Sequence, residues 1–257
     1  MSADVPAALA ADADVALALT RAAVYRLLGA VFAYPGPERC VEIARIADTV
    51  VETLSDGRIA PALRALADAA RDADPSTVAA EHVFLFDRQV HCAPYEGAYG
   101  DAPQLAGKSA LLADIAGFYT AFGLEPSSGE PEVEDHITAE LEFMSALSLK
   151  EAWALAEGET EGLAVTQKAQ TAFLADHLGR WATSFAEAIT SATPLAYYTA
   201  AVSLLSLWVT AECERLAVAP GRVAGRLAPD PMQAEPFTCP MVQATNNTHL
   251  EGSPPSS

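Results

Sequence analysis

Residues 131–144, PEVEDHITAELEFM, concentrate side chains that could do chemistry. Asp135 and His136 are adjacent and follow Glu134, and Glu140 lies one helical turn after His136. A carboxylate and an imidazole so spaced can exchange protons with a substrate, share a metal ion, or pair with a cationic ligand. The same acids could instead only begin a helix, because negative charge in a first turn complements the helix dipole. The segment is therefore a catalytic pair, a metal site, a docking point for a basic partner, or a helix start.

The known motifs of metal and nucleophilic sites are missing from this chain. A di-iron bundle uses Glu-x-x-His pairs, and none of the five histidines has a glutamate three residues before it. HExxH, GxSxG and the phosphate-binding glycine loop are also absent. One alternative is a helical metal-dependent enzyme that uses His136, Glu140, His91 and Cys92. A nucleophilic triad of Cys92, His136 and an acid is the other.

A second unusual segment is FLFDRQVHCAPYEGAYG, which spans residues 84–100. Pro94 predicts extended backbone, and the two glycines allow tight turns. Its aromatic and acidic side chains suit a peptide that presents both apolar and basic groups. The candidate contacts in this segment are Phe86, Pro94, Tyr95, Glu96 and Tyr99. The alternative is an aromatic loop that packs onto its own domain.

Helices must position these two segments, because apolar residues recur at helical spacing along most of the chain. The predicted helices cover about 14–33, 38–54, 59–72, 75–86, 105–122, 133–157, 160–191 and 195–217. Residues 87–104 are predicted to form a long structured loop. We expect an all-α single-domain bundle of about eight or nine helices at 14–218. Residues 1–13 are predicted to be a flexible N-terminus, and 219–257 an irregular or disordered tail.

Composition excludes several classes of protein. The chain has 34 acidic and 15 basic residues, a formal charge of −19 and a pI near 4.4. Such a surface repels nucleic acid and anionic membranes and attracts a cationic partner, although acidity also serves solubility alone. The four cysteines form no CxxC pair, which fits reduced thiols in the cytoplasm. The acidic N-terminus does not resemble a signal peptide.

Residues 189–211 contain no charged side chain and are long enough to consider a membrane span. Pro194 interrupts them near the start, and serine, threonine and tyrosine recur throughout. One helical stripe holds Tyr197, Ala201, Leu204, Leu205 and Trp208. We therefore predict a helix buried in the centre of a bundle, with no stable membrane insertion.

Four segments together resemble the TorD/DmsD/NarJ family of molybdoenzyme maturation chaperones. They are EHVFLFDRQVHCAPYEGAY (81–99), LADIAGFYTAFGLEP (112–126), EDHITAELEFM (134–144) and FLADHLGRWATSFAEAI (173–189). The likeness spans roughly 20–215 and is nearer to the TorD/DmsD or delta-subunit side. Gly97 stands where serine is usual, and the proline expected two residues before Asp135 is displaced to Pro131.

The resemblance implies a TorD-like cytoplasmic chaperone and not an enzyme. Such proteins bind the twin-arginine leader or N-terminus of a molybdenum oxidoreductase catalytic subunit and assist cofactor insertion and assembly before export. No cofactor would be bound stably, although the resemblance allows transient contact with molybdopterin guanine dinucleotide. The resemblance allows a monomer or a domain-swapped dimer. A structural subunit retained in the oxidoreductase complex is a further alternative.

The resemblance also assigns roles to the residues singled out above. The polar side of the client site would be Glu134, Asp135, His136 and Glu140, with Glu96 as a second acidic contact. The aromatic side would be Phe86, Pro94, Tyr95 and Tyr99. We expect Asp135 and His136 at a surface groove, so that substituting either weakens client binding without unfolding the protein.

Overall fold

Helix follows helix through the part of the chain that the computed structural model describes, residues 4–54, 56–87, 91–99, 105–124 and 134–223. Nine α-helices lie in these ranges: α1 Asp4–Phe32, α2 Arg39–Thr53, α3 Ala60–Asp72, α4 Pro75–His82, α5 Leu105–Ala121, α6 Ile137–Glu157, α7 Thr160–Phe173, α8 Gly179–Ala192 and α9 Ala196–Arg215. A 3₁₀ turn covers Glu96–Ala98. The predicted all-α class is confirmed.

Two helices contain π-helical turns that the sequence pattern does not predict. Val83–Asp87 extends α4, and Leu174–Leu178 joins α7 to α8. The predicted helix at 160–191 is therefore continuous but contains one wider turn. Gly179 follows that turn, and a Cβ placed on it would lie 2.3 Å from the main-chain oxygen of Leu174. The turn therefore requires glycine at this position.

The N-terminal residues are helical, whereas most of the predicted C-terminal tail lies outside the described residues. Helix α1 begins at Asp4, so residues 4–13 are helical where a flexible terminus was predicted. Their high alanine content explains this, because alanine has the highest helix propensity. Of the predicted tail, 219–223 is described and non-helical, while 224–257 lies outside the described residues. Residues 88–90 and 100–104 of the predicted loop also lie outside them.

The ends of the helices follow local sequence rules. Asp74 accepts a hydrogen bond from the main-chain N–H of Thr77 at 2.9 Å, and Pro75 occupies the first position of α4. Helix α6 ends at Gly158, whose φ of 69° is left-handed and favours glycine. These capping residues set the lengths of the helices that pack together.

Helices α1 and α6 pack along each other, and α9 lies in the core beside α8 and α3. All five residues of the predicted α9 stripe are buried. The prediction of a buried bundle helix is therefore confirmed. Asp12–Phe32 of α1 has the length and composition of a membrane span, but 61% of its apolar window is buried against other helices. A core helix of a bundle gives the same signal.

A buried ionic network joins α1 to α6, α7 and α9. The Nε of Arg21 donates to Glu212 Oε1 at 2.9 Å, and its terminal nitrogens donate to Glu151 and to Gln170. The Tyr25 hydroxyl donates to Glu212 Oε2 at 3.1 Å. Burial alone would lower the pKa of Arg21, but the bond to Glu212 and the nearby negative charges raise it. The network therefore holds a permanent cation inside the bundle by pairing it with two carboxylates.

Candidate functional site

The segment at 91–99 and the start of α6 are joined by main-chain hydrogen bonds. The N–H of Glu96 donates to the oxygen of Asp135 at 2.9 Å, and the N–H of Ile137 donates to the oxygen of Pro94 at 2.8 Å. These two bonds form an isolated antiparallel bridge. The two segments that the sequence singled out, about forty residues apart, therefore meet at one place.

Asp135 is fully buried and ties the loop to the helix. Its Oδ2 accepts a hydrogen bond from the N–H of Gly97 at 3.0 Å. Within the described ranges its Oδ1 meets no donor. Burial raises the pKa of this carboxyl, while the Gly97 bond and the charge of Lys108 act in the opposite direction. The expectation that Asp135 lies at a surface groove is wrong, because its side chain is fully buried.

His136 is the residue that caps α6. Its Nδ1 accepts from the N–H of Thr138 at 3.2 Å and also contacts the Thr138 hydroxyl. The ring is half-buried, and Tyr95 meets it edge-to-face with centroids 5.2 Å apart. Burial lowers the pKa of His136 to about 4. The imidazole is therefore neutral at pH 7, and its Nδ1 is free of a proton and able to act as the cap acceptor.

Glu140 points into the bundle, where it does not bond His136. Its Oε2 accepts from the indole N–H of Trp181 at 3.0 Å, and the residue is fully buried. No donor reaches Oε1 from any residue that the structure describes. Burial, followed by the negative charge of Glu96, raises the pKa of Glu140 well above its usual range. A proton on Glu140 would convert that repulsion into a carboxyl–carboxylate hydrogen bond with Glu96.

Glu96 is buried and pairs with a histidine that sequence reasoning assigned no function. The Nδ1 of His177 lies 3.0 Å from Glu96 Oε2, and its Nε2 lies 3.4 Å from Asp114 Oδ2. His177 sits on the π-helical turn between α7 and α8, which brings its ring to the 91–99 segment. The available signal was its place in FLADHLGRW, one turn before Trp181. π-Helical turns often occur at functional sites.

The predicted aromatic contacts divide between core and surface. Phe86 is buried against Phe185, with ring centroids 6.1 Å apart. Tyr99 is buried against Trp181 at 5.2 Å and donates its hydroxyl to a main-chain oxygen. Pro94 is buried as well. These three residues pack onto their own bundle, as the alternative hypothesis had it, and their proposed contact with a client stays a prediction.

Only three of the nine predicted site residues reach the surface: Glu134, Tyr95 and His136, all half-buried. The main-chain oxygen of Glu134 accepts from the Tyr119 hydroxyl at 2.9 Å. We call these three residues the rim. The buried carboxyls of Glu96, Asp135 and Glu140 form the acid cluster.

The residues of the metal hypothesis do not assemble into a site. His91 stacks on Phe84 with centroids 4.2 Å apart, Cys92 is fully buried, and His136 and Glu140 have the partners described above. No group of three or more potential metal ligands occurs in the described part of the chain. The arrangement instead places three buried carboxyls beneath a small aromatic rim. Such a site can attract a cation, and an arginine in particular, because a guanidinium pairs with both carboxylates and aromatic faces.

Comparison with known proteins gives a consistent result. The family model described as nitrate reductase delta subunit matches residues 56–187. The perchlorate reductase assembly chaperone protein of Dechloromonas aromatica is 32% identical over 124 residues, 48% of this chain and 52% of that one. Chaperone protein TorD of Shewanella loihica is 27% identical over 211 residues, 76% of this chain and 92% of the relative. The chlorate reductase assembly chaperone protein of Ideonella dechloratans is 31% identical over 110 residues, 42% of this chain and 55% of the relative. The chain thus spans about half the length of the perchlorate and chlorate reductase chaperones it matches.

Proposed function

Because the chain belongs to the nitrate reductase delta subunit family, we propose that it binds the twin-arginine leader of a molybdenum oxidoreductase catalytic subunit. The relatives are named perchlorate reductase assembly chaperone protein, chlorate reductase assembly chaperone protein and chaperone protein TorD, and these names support a chaperone and not an enzyme. Its client would be held in the cytoplasm until the molybdopterin guanine dinucleotide cofactor is inserted. Assembly and export would follow release.

The observation that carries this proposal is the acid cluster beneath the rim. Two buried carboxyl oxygens, Asp135 Oδ1 and Glu140 Oε1, have no donor within the described residues. Buried polar atoms are nearly always hydrogen-bonded, and burial raises the pKa of both Asp135 and Glu140. A guanidinium offers five N–H donors and a permanent charge, so it matches what the cluster lacks.

The leader would meet the rim before the buried acids. A guanidinium can lie against the exposed part of the Tyr95 ring, where the negative potential of the acid cluster adds to the cation–π attraction. Direct pairing with Asp135 would require the 91–99 segment to move away from α6. The two main-chain bonds of the bridge, the Gly97 bond to Asp135 and the contact between Glu96 and His177 would have to break. The apolar stretch that follows the arginines would then replace contacts of that segment.

The acid cluster is not suited to the cofactor itself. Molybdopterin guanine dinucleotide carries a pyrophosphate, and buried carboxylates repel an anion. We therefore infer that the chain assists insertion by holding the client, and that any transient contact with the cofactor is made away from Glu96, Asp135 and Glu140. The monomer and the domain-swapped dimer both stay predictions.

A titration with synthetic leader peptides tests the proposal. Full-length protein is titrated with the leader of a molybdoenzyme encoded beside it, and with a peptide in which both arginines are lysine, at low and high salt. The proposal expects saturable binding that weakens with salt and weakens further with lysine, since lysine cannot pair bidentately. Equal binding of both peptides would contradict it.

Variants in the same assay locate the site. Tyr95→Ala removes the half-buried aromatic ring of the rim, and Trp153→Ala removes an exposed aromatic ring on the outer face of α6 as a control. The Tyr95 change should weaken leader binding several-fold, by about the 1–2 kcal/mol of a cation–π contact. The Trp153 change should not. Stoichiometric presence of the chain in the mature oxidoreductase would instead favour a retained subunit.

A further inference from the structure

Helix α6 presents two large apolar side chains to solvent one helical turn apart. Leu149 is 51% exposed and Trp153 is 60% exposed. Residues at i and i+4 lie on the same face of a helix, so the two form a continuous ridge. Neither belongs to the acid cluster or the rim. Contiguous exposed apolar surface on a soluble domain marks an interaction site more often than chance placement does.

A groove runs along each side of this ridge. The first, of about 370 Å³, lies between α1, α2 and α6 and is lined by Leu19, Ala23, Ile46 and Leu149. The second, of about 270 Å³, lies between α5, α6 and α7, and its lining includes Phe122, Trp153 and Val165. Leu19 and Val165 are themselves about half exposed. We call the ridge and its two grooves the α6 face.

The grooves of the α6 face are lined by positively charged side chains, although the molecule as a whole is negatively charged. Arg26 and Arg45 line the first groove and Lys150 lines the second. None of these three cations forms an ion pair with a residue that the structure describes. The acid in the first groove, Glu42, is paired with Arg39 at 3.3 Å. Three cations therefore line the two grooves, beside one paired acid, Glu42, on a chain of net charge −19.

We propose that the α6 face binds an amphipathic helix of another protein, with acidic residues flanking its apolar stripe. A ridge between two grooves is the surface that a second helix packs against, ridge into groove. Acidic flanks are required because the free cations of the face would repel a basic helix and attract an acidic one. The rim selects a basic segment, so this face takes a different part of a client or a different protein. The inference stands independently of leader binding.

Designed peptides test this surface directly. The probe is a fluorescein-labelled 18-residue helical peptide with leucine at i, i+3, i+4 and i+7 and glutamates on both flanks. A peptide with lysine in place of each glutamate and a scrambled peptide serve as controls. Fluorescence anisotropy should show saturable binding of the acidic peptide, weaker at high salt, and at least about tenfold weaker binding of the lysine peptide.

The chain's own fluorescence gives a second readout. Of the three tryptophans, Trp181 and Trp208 are buried, so Trp153 is the exposed one. Binding of the unlabelled acidic peptide at the α6 face should shift the tryptophan emission to shorter wavelength. A shift of the same size with the scrambled peptide would overturn the proposal.

Matched variants distinguish the α6 face from other apolar surface. Leu149→Ser should reduce affinity for the acidic peptide at least about fivefold. Leu207→Ser, at a leucine of α9 that is 41% exposed, should leave it unchanged. Arg45→Glu should shift the preference toward the lysine peptide. Equal effects of the two serine variants would sink the assignment, as would an unchanged preference in Arg45→Glu.

The alternative partner for the α6 face is a second copy of this chain. Analytical ultracentrifugation of the wild type and of Leu149→Ser identifies that case. A dimer that dissociates in the variant, and with which the acidic peptide competes, would overturn the proposal of a separate helical partner. A wild type that does not self-associate through this face is the expected result. Leader binding by Leu149→Ser, measured in parallel, should match the wild type.

Discussion

At the scale of one residue, burial keeps His136 neutral and so allows it to cap helix α6. The helix cap needs an unprotonated Nδ1, and burial supplies it by lowering the pKa of the imidazole to about 4. At neutral pH this histidine therefore contributes no charge to the rim. The sequence alone did not show that His136 rather than Asp135 caps the helix, because this depends on where the bridge forms.

The low pKa of His136 predicts a pH dependence of stability. In the unfolded chain the imidazole titrates near 6.5, whereas in the folded protein it titrates near 4. Between these values the unfolded state binds more protons, so stability falls as pH decreases from 6.5 to 4. The full contribution is present above pH 6.5, and its loss amounts to about 3 kcal/mol.

Comparison with His136→Asn isolates this effect, because asparagine caps a helix and does not titrate. Urea unfolding at several pH values should show the wild type losing more stability than the variant between pH 6.5 and 4. Other titrating groups contribute equally to both proteins. Parallel stability curves for the two would contradict the buried neutral histidine.

Gly97 is a second residue whose role depends on close approach. A Cβ placed there would lie 2.9 Å from Asp135 Oδ2, the oxygen that Gly97 itself binds. Gly97→Ala should therefore strain the bridge and lower the free energy of unfolding by about 1–2 kcal/mol. Gly117→Ala, in α5 with no atom within 4 Å of the added methyl group, should be neutral or stabilising. Thermal melts of both variants provide the comparison, and a lowered melting temperature in Gly117→Ala alone would refute it.

At the scale of the element, most of the helices could be predicted from the sequence and the π-helical turns could not. Proline, glycine and capping residues placed the observed ends within a few positions, as at Pro75 and Gly158. A π-helical turn adds a single residue to one turn, which a pattern of apolar residues barely registers. For the same reason the sequence did not show where His177 points, because the direction of its side chain depends on that added residue.

The buried acids mark the other limit of sequence reasoning. An amphipathic pattern assigns carboxylates to the outer face of a helix, and Glu140 was expected at a polar surface. Its indole partner Trp181 is 41 residues further along the chain, so the contact that explains its burial is not visible locally. The bridge joins the two segments that hold the predicted site residues, but the exposure of these residues was not predictable from the sequence.

The Arg21 network makes a prediction about how the helices are held together. Arg21→Met removes the cation and leaves Glu151 and Glu212 buried without it. Breaking a buried ion pair from one side costs about 3–5 kcal/mol. Equilibrium urea unfolding should show a loss of this size, and adding Glu151→Gln and Glu212→Gln to the variant should restore part of it. A loss below about 1 kcal/mol would show that water reaches the network.

At the scale of the whole molecule, two surfaces with opposite charge preference lie on one strongly acidic bundle. We propose that the rim, which overlies buried carboxyls, binds a basic segment, and that the α6 face, whose three cations form no ion pair with a described residue, binds an acidic one. Net charge steers partners over long range, and local charge decides which part of the partner docks. A chaperone with both could hold a leader and a second segment of its client at once.

If the acid cluster binds a cationic ligand, its buried negative charges destabilise the folded protein when that ligand is absent. The raised pKa of Glu140 means that its deprotonation costs stability, increasingly so as the pH rises above 4.5. Glu140→Gln keeps the oxygen that accepts from Trp181 and supplies an amide that can donate to Glu96. The variant should be at least as stable as the wild type, with a gain that grows with pH.

The most direct test measures melting temperature and leader affinity of Glu140→Gln together at pH 8. If the acid cluster serves twin-arginine leaders, the melting temperature rises while affinity for the leader falls by about tenfold, the value of one charge-assisted hydrogen bond. A stabilised variant that binds the leader as tightly as the wild type would contradict the account. The acid cluster would then only hold the 91–99 segment against the bundle.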